Sequence, residues 1–148
     1  CGAFVTLNED GWLRGCIGNL VGYGALHSLV AEMARSAAFS DPRFRPVTAG
    51  EMTNIQIEIS VLSPLRRITS PDQFTLGRHG IFMVKDGHSG TFLPQVADEV
   101  NWNKEEFLSH CAHDKAGLSW DEWRTADLYV YEAVVFSEKE GHGDGQRQ

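Results

Sequence analysis

The sequence predicts an α+β fold, a mixed and largely antiparallel sheet with flanking helices. Strand-like and helix-like segments are mixed without a steady strand–helix–strand rhythm, and several strands are joined by tight turns, as at Glu9-Asp10-Gly11 and Asp86-Gly87-His88-Ser89. One segment also alternates Ile55, Ile57, Ile59 and Val61 with Gln56, Glu58 and Ser60, which is the two-residue period of a half-buried strand. Tight turns between strands favour an antiparallel sheet over a doubly wound parallel one.

Taken in order, residues 2–8 alternate as a strand, and Gly11 supplies a turn position that tolerates positive φ. Residues 12–17 return as its partner, and residues 18–24, with three glycines, read as a loop. Leu26, Leu29, Val30, Met33 and Ala37 follow helical spacing and predict an amphipathic helix over 27–39, ended by Asp41-Pro42-Arg43-Phe44. Thr48 and Glu51 form a capping box for a short helical turn before the strand at 55–61. Residues 65–68 resume extended structure, and Ser70-Pro71 starts another short turn. Residues 80–85 and 90–93 flank the polar hairpin tip, residues 95–102 read as a short helix, and Asn103 caps a longer one reaching 111–115. Residues 120–123 read as a turn, 127–137 as one long strand, and 138–148 as a disordered polar tail.

The length of 148 residues suits one domain, or one core with a smaller lobe, and 42% apolar and 22% charged residues are ordinary globular values. A net charge of −7 argues against a general nucleic-acid binder, leaving Arg43, Arg45, Arg66 and Arg67 as a local basic patch or as solvated partners of carboxylates. The chain has no apolar run of the roughly 20 residues that span a bilayer. Cys1, Cys16 and Cys111 have neither disulfide-scaffold nor zinc-knuckle spacing, so a reducing, cytoplasmic setting is expected. The opening at Cys1 reads as a truncation rather than as a lipid-anchored or N-terminal nucleophile. The phosphate-cradling and dinucleotide glycine patterns are missing, and no cofactor is implied.

Leu13-Arg14-Gly15-Cys16-Ile17-Gly18 resembles the signature hexapeptide of the AMMECR1 domain family. Asp41-Pro42-Arg43-Phe44, Ser60-Val61-Leu62-Ser63 and His79-Gly80-Ile81 follow in that family's order. Phe92-Leu93-Pro94-Gln95-Val96-Ala97, Trp102 and Lys115-Ala116-Gly117-Leu118 continue it, so the resemblance spans residues 2–137 as a single domain. It implies a mixed α/β fold of two unequal lobes around a cleft that contains the hexapeptide, with no settled biochemical activity. It also implies a pathway shared with Memo-like and radical-SAM proteins, and a missing N-terminal part, because relatives carry helical sequence before the first strand.

Cys16 is the first candidate for chemistry: flanking glycines leave its sulfur uncovered, and the neighbouring Arg14 favours a thiolate. The alternative is a small apolar residue packed in a glycine-rich turn. His79, in Gly77-Arg78-His79-Gly80, is the expected proton partner, or else a histidine that fixes a turn. Glu58 would orient His79, or simply face solvent. Arg14 would hold an anionic group of the substrate, with Gly15 and Gly18 allowing close approach. Ser60, Gln95 and Glu99 join the substrate-binding set through the segments that match the family. His27, His110 and His113 read as helix surface, His88 as a hairpin tip and His142 as tail, and no metal site is expected.

Two readings of function follow. One is an intracellular enzyme using Cys16 as nucleophile or acid/base on a small polar substrate. The other is a binding or scaffold module whose groove, lined by aromatics such as Trp12, Tyr23, Trp102 or Trp120, engages a protein partner before any nucleic acid.

Overall fold

The computed structural model describes residues 2–22 and 24–138. The fold is α+β, as expected, but the strands form two four-stranded sheets rather than one. Each sheet belongs to its own compact unit: Cys1–Pro64 with Val134–Gln148, and Leu65–Ala133.

In the first unit the sheet order is β2-β1-β3-β8, from β1 (Gly2–Glu9), β2 (Trp12–Asn19), β3 (Ile55–Leu62) and β8 (Ala133–Ser137). The β1–β2 hairpin turns at Asp10 and Gly11, both at positive φ, so the two-residue turn matches the twist of the strands it joins. Helix α1 (Leu26–Phe39) places Leu29, Met33 and Ala37 against Ala3, Val5 and Leu7 of β1. Ile55, Ile57 and Ile59 pack against the same cluster, as their alternation predicts. The Thr48–Glu51 capping box forms as expected and opens a 3-10 turn over Ala49–Asn54.

In the second unit the order is β4-β7-β5-β6, from β4 (Arg66–Ile68), β5 (Gly80–Lys85), β6 (His88–Phe92) and β7 (Asp127–Tyr131). Ile81, Met83, Leu128 and Val130 meet Phe107, Leu108, Cys111 and Ala112 in its core. Those last four come from α2 (Lys104–His110) and the turn that continues it. Asn103 caps α2 reciprocally with Glu106, as expected.

Several element boundaries differ from expectation. Residues 127–137 are two strands, β7 and β8, interrupted at Glu132 and lying in different sheets. The helix from Asn103 becomes π-helical over Cys111–Lys115, where Ala116 N–H bonds the carbonyl of Cys111 at 3.0 Å. The Asp86-Gly87 turn occupies two residues, so β6 starts at His88 and not at 90. Residues 95–102 carry only a 3-10 turn, Pro94–Asp98, and β2 extends two residues, Gly18 and Asn19, into the expected loop. Cys1, Tyr23, His142 and the tail beyond Glu138 lie outside the described residues, while Glu138 itself donates its N–H to the Ile57 carbonyl at 3.2 Å.

Candidate functional site

Antiparallel register decides which side chains share a face of the first sheet. Cys16 lies opposite Thr6, and Thr6 lies opposite Glu58, giving one lateral row across β2, β1 and β3. Gly18, Phe4 and Ser60 form the next row. Directly opposed residues project to the same side with Cβ atoms about 5 Å apart. Four sequence-predicted residues, Cys16, Gly18, Glu58 and Ser60, are therefore brought to one face, opposite to that covered by α1.

Cys16 is partly exposed, and its Sγ is 3.2 Å from Thr6 Oγ1. Its backbone is gripped from the segment after α1. Asp41, buried in the first unit, accepts the Cys16 N–H at 3.0 Å through Oδ2. Arg43 places Nη2 3.4 Å from the Cys16 carbonyl and also binds Asp41 through Nε and Nη2, at 3.0 and 2.7 Å. These two residues thus do for the outer edge of β2 what a neighbouring strand would do. The Arg43 guanidinium, helped by backbone N–H groups of Arg43 and Cys16, holds the Asp41 carboxyl well below the usual carboxylate range. The Arg43 side chain stays 51% exposed, which puts a cation beside Cys16 at the surface.

Arg14, expected to orient a substrate, is instead committed to the protein. Leu7 pairs with Gly15 and Asn8 with Leu13, so Arg14 is the extra residue of a β-bulge. Its guanidinium binds Glu51 in a fork, at 2.8 and 3.0 Å, and donates to the Arg45 and Pro46 carbonyls. That guanidinium is the main reason the Glu51 carboxyl is held far below its ordinary range. Glu9 moves the other way, raised by burial first and then by its hydrogen bond with Glu51.

Gly15 faces α1: a Cβ there would strike the Ala37 carbonyl, so its role is close helix–strand contact rather than substrate approach. Gly18 makes room for the Phe4 ring and the Ala3 carbonyl. The missing side chains at both positions are already filled by the protein.

The remaining expected residues, His79, Gln95 and Glu99, belong to the second unit and are described there by themselves. His79 is buried, and its Nδ1 accepts the Thr75 N–H at 2.9 Å. The neutral ring then carries its proton on Nε2, and neither nitrogen has a lone pair left to take a thiol proton. Burial, and then the Arg78 charge, lower its pKa, which keeps it neutral near pH 7. Gln95 lies in the turn Pro94–Asp98, and Glu99 caps the end of that turn.

Thr6, Asp41 and Arg43 are the residues that sequence reasoning missed. The sequence shows Asp41-Pro42-Arg43 as a helix terminator and a family-like segment, Arg43 also as part of a basic patch, and Thr6 only as a residue within the first strand; it links none of them to Cys16. Among the described residues no group of three or more His, Cys, Asp and Glu could hold a metal ion. His110 and His113 each bind Asp114 through Nδ1 at 2.9 Å, and His110 stacks on Trp102 at 3.7 Å. Cys111 is fully buried, and burial pushes its thiol up to about 12, which disfavours the thiolate. No helix among the described residues is long and apolar enough to cross a membrane.

A model of the AMMECR1 family matches residues 1–136 of the chain. A protein of Methanosarcina mazei is 43% identical over 150 residues, covering 97% of this chain and 74% of its own length. One from Methanopyrus kandleri is 44% identical over 153 residues, covering 96% and 73%. The crystal structure of an uncharacterized protein from Pyrococcus horikoshii superposes with a TM-score of 0.88 at 38% identity, covering 93% of this chain and 73% of that one.

Proposed function

The chain belongs to the AMMECR1 family, and we propose that it is a cytoplasmic, cysteine-dependent enzyme acting on a small anionic molecule through the face that carries Cys16. The observation that supports this most is the row Cys16–Thr6–Glu58, with Sγ 3.2 Å from a hydroxyl that lies opposite a carboxylate in the ladder. A thiol needs a base to become a nucleophile near neutral pH, and Glu58 is the acidic residue of that row. The thiol proton is relayed through the Thr6 hydroxyl to the Glu58 carboxylate as the sulfur adds to an electrophilic carbonyl carbon, the C=O π pair moving onto its oxygen; when that C=O re-forms, the leaving group departs and takes the proton back from Glu58. Transfer, hydrolysis and isomerisation can all begin with that step.

Arg43 takes the part first expected of Arg14. It is half-exposed beside Cys16, whereas Arg14 is closed within its own fork to Glu51. Asp41 keeps the Arg43 side chain oriented and Cys16 in place, the usual division between a reacting group and the groups that fix it.

The test compares alkylation of Cys16 by iodoacetate and iodoacetamide, followed by peptide mapping. Relative to glutathione, Cys16 should favour the anionic reagent about threefold or more, and Arg43→Gln should abolish the preference. A wild-type ratio equal to that of glutathione would contradict the proposal.

A second reading has its own support: Trp12 and Leu13, at the start of the same hairpin strand, are 78% and 43% exposed. Exposed apolar side chains of this kind suit a scaffold that docks a protein partner, such as a Memo-like or radical-SAM protein. Cellular function that survives Cys16→Ser but not Trp12→Ala would favour that reading.

A further inference from the structure

We infer that the turn before β5 binds a phosphate group through the His79 Nε2–H and the guanidiniums of Arg66 and Arg78. His79 is 7% exposed, and its ring is fixed from behind by the turn it closes. The His79 N–H donates to the Thr75 carbonyl at 3.0 Å, and the Thr75 N–H donates back to Nδ1 at 2.9 Å. Nδ1 is thereby spent as an acceptor, and the neutral ring presents a single N–H donor on Nε2. That donor has no partner among the described residues, and Nε2 is not one of their fully buried unpaired atoms, so it opens to solvent. An almost buried imidazole, held in one tautomer with its remaining N–H at the surface, is a preorganised donor awaiting an acceptor.

Two cations act on the same ring. Arg78 is its neighbour in the turn, and Arg66 comes from β4, where it pairs with Val130, which in turn pairs with Ile81. Val130 and Ile81 are 1% and 0% exposed, so this row lies on the core side of the sheet. Arg66 ends the row on the outermost strand and is exposed, its long stem carrying the charge out past the core. After burial, Arg78 lowers the His79 pKa, Glu132 opposes it and Arg66 lowers it further, so both guanidiniums are felt at the imidazole.

These charges are not used up by the protein. Arg66 has no ion pair among the described residues. Arg78 meets Glu132 at 3.2 Å, with the two side chains 67% and 52% exposed, and water weakens such a pair. Two guanidiniums against one carboxylate leave a local positive site on a chain whose net charge is −7. One fixed N–H and two arginine forks suit a group with several acceptor oxygens and more than one negative charge, which is the chemistry of phosphate. The site lies within Leu65–Ala133 and uses none of the residues around Cys16.

Inorganic phosphate and glycerol 3-phosphate are the probes, titrated into the full chain near pH 7 at constant ionic strength, with chloride as the control anion. Long-range proton–nitrogen NMR of the imidazoles reads His79 Nε2 directly. Phosphate should shift that nitrogen and the Gly80 amide saturably, in about the millimolar range that suits so small a ligand, while chloride leaves both unmoved. Arg66→Gln, at an exposed side chain, should weaken binding about fivefold or more. Arg67→Gln should leave it unchanged, because Arg67 shares the opposite face with Tyr129 and pairs with Asp127 at 2.8 Å. Glycerol 3-phosphate binding at least as tightly as phosphate assigns the site to phosphate monoesters, and weaker binding assigns it to the free anion. Shifts that never saturate, a chloride response of the same size, binding untouched by Arg66→Gln, or an equal loss in Arg67→Gln would each overturn the assignment.

Discussion

Replacing Asp41 by Ala should loosen the edge of the first sheet, and the size of the effect follows from what the carboxylate holds. Asp41 is 4% exposed and accepts the backbone N–H of Cys16 and of Arg43, together with Nε and Nη2 of Arg43. Losing the acceptor of the partly buried Cys16 N–H costs about 1–3 kcal/mol. The Arg43 guanidinium is half-exposed and recovers water, so its ion pair adds no more than about 1 kcal/mol. The sum is about 1–4 kcal/mol for Asp41→Ala, and about half of that for Asp41→Asn, which retains one acceptor oxygen. Urea unfolding followed by far-UV circular dichroism measures the loss. Native-state hydrogen exchange locates it, with the Cys16 amide expected to exchange faster in the variant. The pH dependence has a definite sign. The folded pKa of Asp41 lies below the unfolded value of about 3.9, so its contribution is complete above about pH 5 and is lost as pH falls. A loss under about 0.5 kcal/mol, or a Cys16 amide exchanging at an unchanged rate, would refute the view that Asp41 substitutes for a missing strand.

Gly15→Ala should destabilise by about 1–3 kcal/mol or more, because the new Cβ meets the Ala37 backbone, whereas Gly50→Ala, with nothing within 4 Å of its Cβ, should stay within about 0.5 kcal/mol. Thermal or urea unfolding of the pair separates close contact from the general effect of losing a glycine. Ser109→Ala should cost about 1–3 kcal/mol by stranding the buried Trp123 indole N–H, with a shifted indole resonance as its spectroscopic mark. An unchanged midpoint would mean that water replaces the hydroxyl.

Much of the fold was legible because local chemistry and burial agreed. The two Asp-Gly turns, the Ile55–Val61 alternation and the Asn103 and Thr48 caps each carry their signal within a few residues. The break between β7 and β8 carries no such signal. Tyr129, Val130, Tyr131, Val134 and Val135 make one continuous strand-forming run, and only pairing with different sheets divides it at Glu132. The π-helical turn was hidden too, since a single added residue per turn hardly changes the apolar spacing.

The candidate site was legible in part for the same reason. Strand alternation already placed Glu58 and Ser60 together, and the hairpin turn placed Cys16 near the first strand. The bulge at Arg14 changes the pairing at that residue, and an arginine next to a cysteine in sequence proved to be closed in a fork with Glu51. The contact between Asp41 and the Cys16 backbone spans 25 residues, beyond the reach of any local pattern.

As proposed above, Cys16 is a working thiol activated by the Glu58 carboxylate in its row. The most direct test of that proposal is the rate of iodoacetamide labelling at pH 7, read for Cys16 and Cys111 separately by peptide mass. Cys16 should react at least about tenfold faster than glutathione, Glu58→Gln should remove most of that excess, and the buried Cys111 should stay unlabelled. Labelling of Cys16 no faster than glutathione, or unaffected by Glu58→Gln, would contradict it.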